Sequence, residues 1–517
     1  MKKHLVLFLC FLLLGSSPFH ILKVQAQTPS SSLTEIYRSG ATRFYSFNYP
    51  SKGIGDEDVV LSSLLVAWMP SSPAATDSIE SLHIYSHYTI LSNEECPTLD
   101  SNSKDRTIFS LLVGNRYGLS FNSSYNFISR CVVIAPDYEG YGVTKSRRHP
   151  YLSQRLTARQ VVDGVQYGLM LYKKLVASKL ALPFKSSWRS FGYGFSQGGA
   201  VTLAVQRHIE ENDLSDELRY RGSLCGDGPY DIVKTLDYYV NDNGTSYGTS
   251  TDHRQSMTTM PMVIPLIIRG LLDTYPDLAG HSLEEYLSQQ FLDTGIMDWI
   301  DSKQYKVNDI HKLWYQQLKN GLRTATRSYT AAQMGELFYS PKNNKVWARL
   351  DKLFSPGFYA YISDPDKFGT VPRRKGDAWQ NLHRAMAYNN VCKGWDPMHR
   401  IVFVHSKGDM VVPYGNYLAF RDAHPGDEDE FFRIDDSLSP DDHVEAGEKF
   451  FLKLSTGSYG EYFTWLDKGP IRTDLTPAHS EWQTATDDWF TLDGRRLNCR
   501  PTARGIYIHN GRKTAIK

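Results

Sequence analysis

Several stretches of the chain are apolar without alternation, most clearly CVVIAPD at 131–137 and WRSFGYGF at 188–195. A strand with one wet face alternates apolar and polar residues. A continuous run needs cover on both faces, and that condition is met mainly in parallel sheets layered between helices. VVLSSLLVAWMP at 59–70, closed by proline, reads as a strand or hairpin, and SLHIYSHYT at 81–89 as a second strand leading into a polar loop. Between such runs the period changes. TARQVVDGVQYGLMLYKKLVASKL (157–180) and GGAVTLAVQRHIEEN (198–212) bring apolar groups round every three or four residues, the spacing of a helix packed along one face. HRIVFVHSKGD (399–409) adds a late strand, and DHVEAGEKFFLKL (442–454) a loop and helix. Strand and helix in alternation predict an α/β fold, with a mostly parallel central sheet flanked by helices.

The texture shifts twice along the 517 residues. From Tyr230 to Trp395 the chain is rich in Tyr, Leu, Asp and Asn and reads as amphipathic helices and loops. Within it, PMVIPLIIRGLL (261–272) is apolar almost all round and needs cover on every side. Lying between two sheet strands, 230–395 is expected to be a large helical cap inserted between core segments 27–229 and 396–455. Residues 456–517 form a linker and tail whose Asp-Gly and Asn-Gly pairs separate short β runs, the mark of a small hairpin module. At the other end, MKKHLVLFLCFLLLG has two lysines and an apolar run too short to span a bilayer comfortably, and VQAQ offers cleavage after Ala26. Residues 1–26 are therefore expected to be a signal peptide, leaving an exported protein with no integral membrane segment.

A formal charge of +1 gives no electrostatic footprint for nucleic acid. After signal removal five cysteines remain: Cys96, Cys131, Cys225, Cys392 and Cys499. Their spacing makes neither a zinc site nor a disulfide framework. Cys131 opens an apolar run and reads as a core thiol; Cys96 and Cys392 flank loops and are a candidate pair.

The chemistry centres on FGYGFSQGGA at 191–200. A G-x-S-x-G match arises by chance about 0.2 times in a chain of this length, so its surroundings must decide. An apolar strand precedes Ser196 and an amphipathic helix follows, the setting of a nucleophile elbow. Gly194 and Gly198 let neighbouring backbone pass close by, and the helix N-terminus favours developing negative charge. A dinucleotide loop would need glycine where this chain has Gln197, and would normally follow the first strand rather than a late one. A plain structural turn is the remaining reading.

A serine hydroxyl needs a base, and the base needs a third group to fix its tautomer. In this class the partners follow in the order Ser, Asp or Glu, His. The turn after the strand IVFV supplies Asp409, and the loop before the last helix supplies His443. His405, at a strand end, suits packing or support; Asp441 and Asp442 suit the capping of a helix start. The oxyanion donors are expected to be the backbone N–H groups of Gln197 and, from the loop after the early strand, Tyr88, with Thr89 the near alternative. Asp137 and Glu139 precede the serine on another strand end and read as loop braces.

With these residues in view, the chain resembles the α/β-hydrolase superfamily and, more narrowly, the secretory lipase family of exported esterases. The matching pieces are SHYT, APDYEGYG, HPY at 149–151, GFSQGGA, GPYD at 228–231, WDP at 395–397, HSKGDMVVP and DHVEAG, in family order over roughly residues 45 to 455. The resemblance implies a Ser196–Asp409–His443 triad, a helical cap, and hydrolysis of small-molecule or lipid carboxylic esters without cofactor or metal. One departure stands out: the family usually has His-Gly-Thr after the early strand, and Tyr88 replaces that glycine, narrowing the site or shifting the oxyanion donor. The tail is similar to the C-terminal sorting tails of exported bacterial proteins, including those of type IX secretion, which implies a secreted or cell-envelope location. A serine peptidase or amidase of the same fold, and a non-catalytic binding protein built on it, are the competing readings.

Overall fold

The computed structural model describes residues 28–99, 130–241, 255–341, 344–469 and 471–472, together with 489–490, 496–497, 501–502, 505–509 and 512–516 in the tail. The expected signal peptide and Cys499 lie outside the described residues.

Nine strands make the central sheet: β1 (Thr34–Ser39), β2 (Thr42–Lys52), β3 (Asp58–Trp68), β4 (Ile79–Ser86), β5 (Cys131–Pro136), β6 (Phe184–Phe195), β7 (Tyr220–Gly226), β8 (Arg400–Val404) and β9 (Phe432–Asp435). Their spatial order is β1-β2-β3-β5-β4-β6-β7-β8-β9. The first three pair antiparallel, as does β3 with β5; every pair from β5 to β9 is parallel. β5 illustrates why its sequence is continuously apolar. Val132 and Ile134 join the cluster on one face of the sheet, while Cys131, Val133 and Ala135 join the cluster on the other. Helices α1 (Gln154–Ala177) and α2 (Gln197–Glu211) cover the first face.

β1 and β2 extend the sheet beyond the strands read from sequence. Their signal was available, since Tyr45, Phe47 and Tyr49 alternate with Ser46 and Asn48, and the three aromatic rings are buried in the core.

Between β7 and β8 the chain builds the cap around its own apolar core, which includes Phe291, Trp314, Phe338, Phe354 and Phe358. Its longer helices are α3 (Ile232–Asn241), α4 (Val263–Thr274), α5 (Val307–Asn320) and α6 (Ala378–Tyr388). α4 is indeed covered on most sides: Val263, Ile264, Leu266, Ile268 and Leu271 are all buried. The cap also holds strand pairings that helical periodicity does not foresee, a three-stranded sheet of 338–339, 347–349 and 257–258, and a ribbon of 322–323 with 328–329. Runs of two or three residues are too short to show a period.

After β8 come α7 (Gly415–Ala423), α8 (His443–Ser455) and α9 (Gly460–Asp467). Phe450, Phe451 and Leu454 of α8 and Phe463 of α9 cover the second face of the sheet. In the tail, 505–509 and 512–516 pair antiparallel with His509 opposite Arg512, while the Asn510-Gly511 pair between them lies outside the described residues. No helix among the described residues is long and apolar enough to cross a membrane.

The candidate cysteine pair is corrected. Neither Cys96 nor Cys392 is in a disulfide, and both are buried, one in the cluster on each face of the sheet. Their placement on opposite sides of a continuous sheet keeps the thiols apart.

Candidate active site

β6 ends at Phe195 and α2 begins at Gln197, leaving Ser196 alone to make the turn at φ 60° and ψ −127°. Such a conformation costs a non-glycine residue roughly 1–3 kcal/mol and persists only where the surroundings enforce it. Here Ser196 N–H donates to Gly226 O (2.9 Å) from the neighbouring strand end, and the Ser196 carbonyl accepts from Gly199 and Ala200 N–H. The flanking glycines are required by the close passage of the β4 terminus. A Cβ at 198 would stand 2.1 Å from the Ser86 carbonyl oxygen, and one at 194 would stand 2.4 Å from that of Gly198.

The three widely separated residues meet at this turn. His443 Nε2 lies 2.8 Å from Ser196 Oγ, and His443 Nδ1 lies 2.5 Å from Asp409 Oδ2. With the Nδ1 proton donated to the carboxylate, the Nε2 lone pair faces the serine hydroxyl. Asp409 is buried, and its other oxygen accepts from Val411 and Val412 N–H at 2.8 Å each. Three donors converge on one buried carboxylate and fix it in place. Asp442 caps α8 by accepting from Val444 and Glu445 N–H, so His443 is fixed as the first residue of that helix. The Phe195 ring packs beside the imidazole, with centroids 5.1 Å apart.

Gln197 is the first residue of α2, so its N–H has no intrahelical acceptor and points from a helix N-terminus. Its side chain is committed elsewhere. Gln197 Nε2 donates to His149 Nε2 (2.8 Å), while His149 Nδ1 donates to Glu139 O (2.8 Å). That pattern demands a neutral imidazole, and burial pulls His149 down to about 3. His149, Tyr138 and His87 stack in sequence, at 6.0 and 3.9 Å between centroids. This links the loop after β5 to the loop after β4. Tyr88 turns its ring onto Phe451 of α8 (6.1 Å), and its carbonyl accepts from His87 Nδ1 (2.7 Å). Thr89 Oγ1 pairs with Tyr151 OH at 2.7 Å.

The remaining carboxylates behave as braces. Asp137 accepts from Ser62 Oγ and from Thr98 N–H and Oγ1; Glu139 takes Arg147 and Gln160. Sequence reasoning passed over two residues of the surroundings. His149 was visible only as part of HPY. Lys303, a buried cap lysine, donates to the carbonyls of Gly140, Lys145 and Arg147, which gives all three ammonium protons an acceptor. No local pattern marks a lysine whose partners lie more than 150 residues away.

Asp227, His405 and Asp409 bring three atoms of metal-ligand type within 4.8 Å of one another. They do not fit an ion. His405 Nε2 donates to Val412 O (2.9 Å), and both Asp409 oxygens are taken by donors of the protein.

A parallel sheet, a serine in a strained turn after its central strand, and a helical cap before the last strands decide the fold class. The fold is that of an α/β-hydrolase. The chain is similar in structure to the rice cell wall degrading esterase LipA from Xanthomonas oryzae, with TM-score 0.56 and 17% identity over 86% of this chain and 98% of that one. It is also similar to a protein of Legionella pneumophila, with TM-score 0.55 and 18% identity over 86% and 94% of the two chains. No protein-family model and no curated protein matches its sequence.

Proposed function

We propose that the protein is a serine hydrolase that cleaves carboxylic esters through an acyl-enzyme. The observation that carries this reading is the unbroken line of contacts from Ser196 Oγ through His443 to Asp409, at 2.8 and 2.5 Å. Ser196 attacks the ester carbonyl while His443 Nε2 takes its proton, and Asp409 stabilises the imidazolium. The tetrahedral oxyanion is held by the Gln197 N–H and by a second donor from the Tyr88 loop. His443 then hands the proton to the departing alcohol. In the second half, water loses its proton to His443 and attacks the acyl carbon, and Ser196 recovers its own. Every proton is carried by the one imidazole, so the cycle calls on no further group.

Esters are favoured because the similar Xanthomonas oryzae structure is that of an esterase. In the cap, Ile232, Leu236, Ile264, Ile268, Phe354 and Phe358 line an apolar cavity of only about 20 Å³. Tyr239 joins that lining to the acid turn, since its hydroxyl donates to Val411 O. Export under the leader at 1–26 and release into or beyond a bacterial envelope complete the proposal.

The test is a panel of aryl esters of increasing acyl length, run beside matched aryl amides. Esters should turn over faster than the matched amides, and Ser196→Ala should lose roughly 10⁴- to 10⁶-fold in kcat with its melting curve unchanged. Amide turnover above ester turnover would move the assignment to a peptidase or amidase, and equal rates for wild type and Ser196→Ala would remove Ser196 as nucleophile.

A further inference from the structure

A second carboxyl lies against the acid of the triad. β7 ends at Gly226, and Asp227 follows in the space between that strand and the turn carrying Asp409. Asp227 is fully buried, and its Oδ1 accepts from Ser406 N–H (2.8 Å). His405 Nε2 stands farther from the same oxygen, at 3.5 Å, and its proton is already given to Val412 O. Oδ2 has no hydrogen-bond partner among the described residues. Asp227, His405 and Asp409 bring their polar atoms within 4.8 Å.

Two carboxylates so close and so deeply buried cannot both ionise cheaply. The donors decide which one keeps the proton. Asp409 has two backbone N–H groups and the His443 N–H; Asp227 has a single N–H and an oxygen left over. We infer that Asp227 is held as the neutral carboxylic acid in the working protein and serves as a reserve carboxylate, silent while Asp409 carries the negative charge and ionised when that charge is removed. The inference rests on the triad reading above and deepens it.

The charged surroundings agree. Burial first, and then the Asp409 charge, push the Asp227 carboxyl well above the usual range, and Asp441 adds to the effect. The titratable groups that face it are Asp409, His405, Asp441 and the buried phenols of Tyr230 and Tyr459. His405 is itself drawn down to about 4 by burial, so among the described residues no cation stands beside Asp227 to hold it ionised. A purely mechanical reading competes with this one. Ser406 Oγ donates to Asp441 O (2.7 Å) and accepts from Gly408 N–H (3.1 Å), so Asp227 also anchors the turn that bears the acid to the loop that bears His443. Charge and anchoring predict different coupling between substitutions.

The experiment is a double-mutant cycle of wild type, D227N, D409N and D227N/D409N, assayed on a short aryl ester with melting curves for each. D227N keeps the Oδ1 acceptor and exchanges one neutral group for another. It should stay within about 3-fold of wild type in kcat, with the acid limb of kcat/KM unmoved. D409N should lose about 10⁴-fold, and adding D227N to it should cost about 10-fold more, because the reserve charge is then gone. An equal factor in both backgrounds would reduce Asp227 to an anchor and overturn the inference, as would an acid limb that moves in D227N. Should D227N fail to fold, D409N alone suffices: its residual kcat must rise through two ionisations, imidazole and reserve carboxyl, and a single one is contrary. Full activity in D409N would instead bring down the triad reading itself.

Discussion

The sheet core and the cap position groups in different ways. In the core, backbone meets backbone: the carbonyls of Ser86 and Gly226 press on Gly198 and Gly199 so closely that no side chain fits. Beside backbone contacts such as Asn93 N–H to Lys303 O (2.8 Å), the cap meets the core through side chains that reach for backbone. Lys303 takes three carbonyls of the loop after β5, the Tyr239 hydroxyl takes Val411 O, and Asn389 Oδ1 accepts Gln154 N–H at 2.8 Å. Backbone contacts have almost no tolerance, because neither partner has a rotamer to change. Side-chain contacts can be traded or lost singly. The Ser196 turn is thus built on the intolerant half of the molecule, and the cap is fastened to it in part by side chains that can vary.

Gly198→Ala should break the comparison most severely. The new Cβ falls on backbone oxygen rather than on a movable side chain, so about 3 kcal/mol of stability should go, with on the order of 100-fold in kcat as Ser196 shifts. Urea melts and ester kinetics read both. Gly335→Ala, in the cap with open space around it, should be neutral in the same assays.

Lys303→Met comes next. It takes the donor from one buried carbonyl, that of Gly140, and from two half-buried ones, for about 2 kcal/mol in the same melts. Because the freed loop carries His149, which holds Gln197, kcat should fall about 10-fold with KM little changed. A rise in KM alone would mean that the cap pin acts on substrate binding and not on the serine turn.

Acid should loosen the cap by a smaller amount. His311 is neutral and buried, accepts Val346 N–H at Nδ1, and is drawn down to about 4 by burial. Its pKa is lowered on folding, so its contribution is full above about 6.5 and is lost as the pH falls through that value toward 4. At pH 5 the loss is about 2 kcal/mol. A His311→Gln variant keeps an acceptor but cannot titrate. Its stability relative to wild type should therefore improve by that amount between pH 7 and pH 5, and a difference constant with pH would refute the buried neutral ring. Tyr239→Phe should have the smallest effect, about 1 kcal/mol in thermal melts, through one lost hydrogen bond to the acid turn.

The same contrast explains what could be read in the sequence. Runs such as CVVIAPD and the motif GFSQGGA report strand burial and close backbone approach, which each residue carries locally. Asp409 and His443 were within reach because a strand end and a helix start announce them. Lys303, His149 and Asp227 were not, since their meaning lies in carbonyls, an amide and a second carboxylate supplied by remote segments. The cysteines mislead for the same reason: flanking loops say nothing about which face of a sheet a thiol will occupy. The expected Tyr88 donor is intermediate, with a loop legible from SHYT and a ring direction set by Phe451 far along the chain.

Covalent capture bears most directly on the central proposal. A fluorophosphonate reacts only with a serine whose oxygen has been made nucleophilic, and peptide mapping reports where it lands. One adduct per chain on the peptide holding residue 196, formed far more slowly in His443→Ala, is the expected result. An unlabelled native protein, or an adduct on another serine, would contradict it.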